Sequence, residues 1–229
     1  MYIHCLQFNQ LSPNIFKIIL TNDTIDAVRL IHSRFYTIQN EYTFIINDNV
    51  ELAKEIEADG VHLGRADRNP AEAREISGDD FIIGGTANTF DDIVSLLEQG
   101  VDYIGLGPFR FTETKKNLSP VLGLEGIKNI VETYRRTSLR QIPVIAIGGI
   151  KLNDVEDLIK AGVHGIAVSS AINISEDKLA ITQLFLEQLR IHQPARTPAC
   201  RNALRSAGTK LYAGGLPIAG FSLSSLASS

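Results

Sequence analysis

Residues 103–126, YIGLGPFRFTETKKNLSPVLGLEG, open as a strand and turn into a loop crowded with hydroxyls and lysines. The apolar run 103–107 has strand length, and Pro108 stops it. Thr112, Thr114, Lys115 and Lys116 follow at once. In a parallel α/β protein, ligands bind at the carboxyl ends of the strands, so hydroxyls and ammonium groups placed there suit a polyanion. A solvated surface loop has the same composition, and the rest of the chain separates the two readings.

Outward from this stretch, strand-like runs alternate with amphipathic ones. Apolar runs at 16–20, 44–46, 61–63, 81–86, 143–147 and 165–168 join 103–107 as predicted strands. Helical spacing is read over 23–41, 50–57, 90–99, 126–136, 153–161 and 177–191. Strands apolar on both faces, each followed by a helix, imply parallel pairing with both faces of the sheet covered. Polar residues at nearly every strand's carboxyl end favour a (β/α)₈ TIM barrel over a doubly wound sheet, because a barrel gathers all of them at one mouth. The count is one βα unit short. Residues 2–8 could supply an eighth strand, yet only 9–15 separate them from the next run, and a parallel crossover needs about a dozen residues. The expectation is therefore a barrel over 1–193 with its first βα units missing or altered, residues 1–42 being atypical. Residues 194–229, rich in Ala, Ser, Gly, Pro and Arg, are expected to form a low-order tail in which Leu216, Ile218 and Phe221 could dock locally.

Composition narrows the class. The chain has 229 residues, 44% hydrophobic and 21% charged, enough for one large domain with a core. A net charge of −4 argues against a generic binder of nucleic acid or anionic membranes, so any anion site is local. Cys5 and Cys200 are too few and too far apart for a disulfide framework or zinc cluster. No run approaches the roughly 18 apolar residues of a membrane span, and the first residues lack the basic region of a signal peptide. A cytoplasmic protein with small-molecule partners, no nucleic acid and no membrane is expected.

Asp48 and Asp67 lie just past consecutive strands. Two hard carboxylates on neighbouring loops can hold Mg²⁺, which keeps several waters and takes other ligands from substrate phosphates. Each Asp could instead cap the helix behind it. Gly148, Gly149 and Ile150, with Ser169 and Ser170, end the last two strands, where many barrels bind phosphate through backbone N–H groups. The alternative is a tight turn and a packed serine. Asn47 and Thr86 could hydrogen-bond a heterocycle edge or serve as local turns or caps. His62 and His164, inside or at the start of strands, read as structural. There is no Cys/His pair, no Gly-x-Ser-x-Gly elbow and no dinucleotide glycine fingerprint.

With these residues laid out, the chain resembles the thiamine phosphate synthase family, a (β/α)₈ family. The resemblance rests on FIINDNVELAKEIEADGVHLG, IIGGTANT, DYIGLGPFRFTETKKNLSPVLGLEG, IPVIAIGGI and GIAVSSAI, in family order from about Thr43 to Ile172. It implies a transferase that joins hydroxymethylpyrimidine diphosphate to hydroxyethylthiazole phosphate, giving thiamine monophosphate and pyrophosphate. By the same resemblance Asp48 and Asp67 would bind Mg²⁺. Asn47, Thr86 and Lys115 would contact the pyrimidine diphosphate, with Lys115 and Asn47 as the catalytic residues. Thr112, Glu113, Thr114, Gly148, Gly149, Ser169 and Ser170 would hold the thiazole phosphate. The family's Gln-Leu-Arg-x-Lys type motif after the second strand is missing here. One hypothesis covers that gap and the missing βα unit, a truncated or altered N-terminal portion, and the unusual tail is given a similar origin, such as a shifted reading frame. Two other readings follow: a non-catalytic phosphate-binding barrel, and a thiazole tautomerase, ranked lower because Pro108 stands where that relative carries a histidine.

Overall fold

Strands that are apolar on both faces need cover on both sides, and the fold supplies it with helices outside and interlocking side chains within. The computed structural model describes residues 3–8, 16–20, 42–111 and 119–192. The strands are β1 (Ile3–Phe8), β2 (Phe16–Leu20), β3 (Tyr42–Asn47), β4 (Gly60–Leu63), β5 (Ile82–Ala87), β6 (Tyr103–Leu106), β7 (Val144–Ile147) and β8 (Gly165–Val168). The helices are α1 (Val50–Glu55), α2 (Pro70–Ser77), α3 (Phe90–Glu98), α4 (Gly123–Arg135), α5 (Val155–Lys160), α6 (Ser170–Asn173) and α7 (Lys178–His192).

Neighbouring strands pair in chain order, and β3 to β8 form a curled, six-strand parallel sheet. β2 adds to it in parallel, whereas β1 runs antiparallel to both β2 and β8 and joins the two edges. This departs from the eight parallel βα units of a (β/α)₈ barrel. The reason is length: residues 9–15 cannot hold a crossover of about a dozen residues, so the chain turns back and pairs in the reverse direction. The helix expected over 23–41 and the tail at 194–229 lie outside the described residues.

Side chains alternate across each strand with period two. One set, including Val61, Ile83, Ile104, Leu106, Val144 and Val168, packs outward with helical residues such as Ile93, Val131 and Leu158. The other set, Ile45, Tyr103, Ile145 and Ala167 with Ile82 and Ile147, forms a separate cluster inside the curl. Each fully buried Ile, Leu or Val among them contributes roughly 1.5–3 kcal/mol by leaving water. Glycine makes room for the bulkiest of them: a Cβ on Gly84 would stand 2.1 Å from the Tyr103 ring.

At the base of β8, His164 closes the sheet locally. Its N–H donates to the Val144 carbonyl at 2.7 Å, and its Nδ1 accepts the Val144 N–H at 3.0 Å. Burial, followed by the Arg135 charge, lowers the imidazole pKa to about 4 against the opposing Val144 bond. The ring is therefore neutral and structural, as its position in the sequence suggests. Two helices, α2 and α6, have no counterpart among the sequence-based expectations, and α4 begins at Gly123 rather than at 126.

Candidate active site

The turn after β3 is built around a strained aspartate. Asp48 has φ 68°, a left-handed conformation uncommon for any residue with a Cβ, and its N–H donates to the His62 carbonyl at 2.9 Å. The cap of α1 is the next residue, Asn49, whose Oδ1 accepts the Leu52 N–H at 2.8 Å. After β4, Asp67 closes a turn on Gly64, donating its N–H to the Gly64 carbonyl at 3.2 Å and accepting the Gly64 N–H on Oδ2 at 2.6 Å. The cap of α2 is Asn69, bonded to the Ala71 N–H at 2.8 Å, with Pro70 opening the helix. Helix capping, one of two readings of these aspartates, thus falls to two asparagines. Both carboxylates stand on adjacent loops at one end of the sheet.

Beneath them a polar chain crosses the interior. His62 on β4 sits between Thr86 on β5, 2.9 Å from Nε2, and Tyr103 on β6, 3.1 Å from Nδ1. Its ring also stacks against Tyr103 at 5.4 Å. Burial, and then the Asp102 charge, push the Tyr103 phenol far above its usual range, which keeps it a hydrogen-bond donor. When Tyr103 donates to Nδ1, Nε2–H donates to Thr86 and the Thr86 hydroxyl keeps its own proton for a ligand. Asn47, the last residue of β3, is also buried, at 8% exposure.

The opposite side of the mouth is made of backbone. β6 leaves through a cis Gly107–Pro108 bond. The segment then pairs with the β7 exit: Phe109 N–H donates to Ile147 at 2.8 Å and Arg110 N–H to Gly148 at 2.9 Å. Gly148 and Gly149 follow with φ 90° and 69°. A Cβ on Gly148 would meet Pro108 at 2.8 Å, and one on Gly149 would meet Arg110 at 2.9 Å, so both conformation and space require glycine. The Arg110 guanidinium donates to the Gly149 carbonyl at 2.6 Å and, at 2.9 and 3.0 Å, to both carboxylate oxygens of Asp154. The Asp154 bond raises the Arg110 pKa. Burial opposes ionisation of Asp154, but bonds from Arg110 and the Lys151 N–H hold its pKa below the ordinary value. Ser169 precedes α6, and its Oγ accepts from Asn173 Nδ2 at 3.3 Å; Ser170 is exposed beside it.

Asn47, Asp48, Asp67, Thr86, Gly148, Gly149 and Ser169 thus occupy the carboxyl ends of their strands or the loops directly after them, on one rim, with Ser170 opening α6 beside them. Thr112, Glu113, Thr114 and Lys115 lie outside the described residues. Among the described residues no three His, Cys, Asp or Glu side chains gather as a metal cluster. Two hard carboxylates on adjacent loops, neither of them a helix cap, would suit an ion that takes its other ligands from water and phosphate. Sequence reading missed Asn88, which donates Nδ2 to the Gly107 and Pro120 carbonyls, and Arg110, which bonds Gly149 and Asp154; a buried Asn directly after a strand is a signal only once its distant partners are known. No helix among the described residues is long and apolar enough to cross a membrane.

Residues 23–172 match the family model of thiamine monophosphate synthase. The thiamine-phosphate synthase of Flavobacterium psychrophilum is 57% identical over 143 residues, 62% of this chain and 69% of that protein. The thiamine-phosphate synthase of Phocaeicola vulgatus is 54% identical over 144 residues, 63% of this chain and 69% of the relative. Among solved structures, the thiamine phosphate pyrophosphorylase from Pyrococcus furiosus superimposes with a TM-score of 0.67 at 29% identity, covering 81% of this chain and 87% of that one.

Proposed function

Because the chain belongs to the thiamine monophosphate synthase family, we propose that it is a transferase that joins hydroxymethylpyrimidine diphosphate to hydroxyethylthiazole phosphate. The bond between the pyrimidine methylene carbon and the diphosphate oxygen breaks, its electron pair leaving with pyrophosphate. The thiazole nitrogen supplies the pair for the new carbon–nitrogen bond of thiamine monophosphate. No protein nucleophile is required, in keeping with a mouth lined by carboxylates, hydroxyls and backbone.

In this reading Asp48 and Asp67 would hold Mg²⁺, which when bound neutralises charge on the diphosphate. Lys115 adds a second cation to the departing group. Asn47 and Thr86 orient the pyrimidine diphosphate, Thr86 through the hydroxyl proton that the His62–Tyr103 chain leaves to it. Gly148, Gly149, Ser169 and Ser170 offer backbone N–H groups and hydroxyls to the thiazole phosphate, together with Thr112, Glu113 and Thr114. The fold belongs to the (β/α)₈ class with a reversed strand in the first position, the catalytic unit spans residues 1–193, and the protein works in the cytoplasm.

The observation that carries the reading is the capping of α1 and α2 by Asn49 and Asn69, so that the carboxylates of Asp48 and Asp67, on adjacent loops of one rim, are not the caps of these helices. The test is incubation of the purified chain with both substrates and Mg²⁺, following thiamine monophosphate and pyrophosphate. Product that disappears in Asp48→Ala and Lys115→Ala is expected. A folded wild-type chain that forms no product would overturn the proposal.

A further inference from the structure

We propose that Asn88 is a positioning residue for the thiazole-phosphate half of the site, an inference that rests on the synthase reading. Asn88 follows β5 directly, and its backbone is fixed by the start of α3. Asp92 Oδ2 accepts the Asn88 N–H at 2.8 Å and the Thr89 N–H at 3.0 Å, while Thr89 Oγ1 accepts the Asp92 N–H at 3.1 Å. This capping box sets where the Asn88 side chain begins.

The side chain is buried, the residue being 4% exposed. Its Nδ2 donates to the Gly107 carbonyl at 2.9 Å and to the Pro120 carbonyl at 2.8 Å. Both partners are acceptors, so only the NH₂ end of an amide satisfies them together. Gly107 is where the chain leaves β6, and Pro120 is where it approaches α4. Two bonds sustain that closure: Leu122 N–H to Pro108 at 2.9 Å and Gly123 N–H to Phe109 at 3.0 Å.

From there the connection continues to the β7 turn. Phe109 and Arg110 donate to Ile147 and Gly148, and Pro108 and Arg110 fill the space against Gly148 and Gly149. A shift at the Gly107 carbonyl therefore moves the wall that shapes the glycine turn. The loop after β4 meets this chain of bonds through the Arg65–Asp92 ion pair at 3.4 Å, at the capping box rather than at the Asn88 amide. Losing the Asn88 donors should loosen one half of the mouth and spare the other.

The test uses the full chain and reads binding rather than turnover. Hydroxyethylthiazole phosphate, and separately hydroxymethylpyrimidine diphosphate with Mg²⁺, are titrated calorimetrically into wild type, Asn88→Asp and Asn88→Ser, with melting temperatures in parallel. Asn88→Asp keeps the shape but sets a carboxylate against two carbonyls, and Asn88→Ser keeps one small donor if the first variant folds poorly. The expected result is a roughly tenfold or greater loss for the thiazole phosphate with the pyrimidine diphosphate unchanged within about twofold. A merely structural Asn88 would lower the melting temperature without separating the two ligands, and that outcome overturns the inference. Wild-type binding of both ligands with both variants unchanged also overturns it and leaves the synthase reading standing. A wild-type chain that binds neither ligand overturns both.

Discussion

The β3–β4 side of the mouth presents side chains, whereas the β7 side presents backbone. On the first side Asp48 sits in a strained turn and Asp67 folds onto Gly64, and each carboxylate has an asparagine beside it that takes over the capping. On the second side Gly148 and Gly149 have no side chains at all, and Pro108, Arg110 and Asp154 surround them. The lesson is an asymmetry in how the halves fail: one is vulnerable to removing atoms, the other to adding them.

The largest expected effect is on turnover at Asp48. Asp48→Gly should slow product formation about a thousandfold, because the proposed metal loses a ligand. Its melting temperature should hold or rise, since glycine adopts φ 68° without strain. Steady-state rates with calorimetry check this, and a variant that loses turnover only by unfolding would erase the distinction between the halves. Next comes the opposite substitution. Gly148→Ala should destabilise the protein by about 2–4 kcal/mol, because its Cβ meets Pro108 at 2.8 Å at φ 90°. Denaturant unfolding measures it, and a loss of activity with unchanged stability would place Gly148 with the side-chain half.

The base of the sheet gives a reference that neither half should disturb. His164 has a pKa of about 4 in the folded chain, against about 6.5 when unfolded. The unfolded state therefore binds more protons between these values, so stability is full above pH 6.5 and is lost as pH falls toward 4, by up to about 3 kcal/mol. Urea midpoints over that range should fall equally in wild type and Asp48→Gly; a different slope in the variant would couple the base to the mouth. The smallest effect sharpens the Gly148 result. Gly100 has φ 77° but nothing within 4 Å of an added Cβ, so Gly100→Ala should cost only about 1 kcal/mol. Equal costs at the two glycines would show that the backbone angle, rather than the close approach of Pro108, governs Gly148.

The strands from β3 to β8 were legible because apolar runs buried on both faces carry a strong local signal. Helix α2 was less so: it buries only Pro70 and Ala73, and its clearest mark is the Asn69-Pro70 pair at its start. The reversal of β1 was half legible, as seven intervening residues exclude a parallel crossover without specifying the pairing that replaces it. At the site, Asp48 and Asp67 could be found from their places after strands, but setting aside the cap reading needed the bonds made by Asn49 and Asn69. Asn88 could not be assigned, because Gly107 and Pro120 lie far along the chain and nothing local marks them as its partners.

Gly84 and Tyr103 fill one volume between them, the ring lying where a Cβ on residue 84 would stand. Substitutions at these two positions should therefore be coupled. A lineage that acquires a side chain at 84 must first shed bulk at 103, and in doing so gives up the phenol that orients His62 and, through it, Thr86. The Gly84 position thus ties its narrow range of viable substitutions to a polar relay on its own strand and the two beside it.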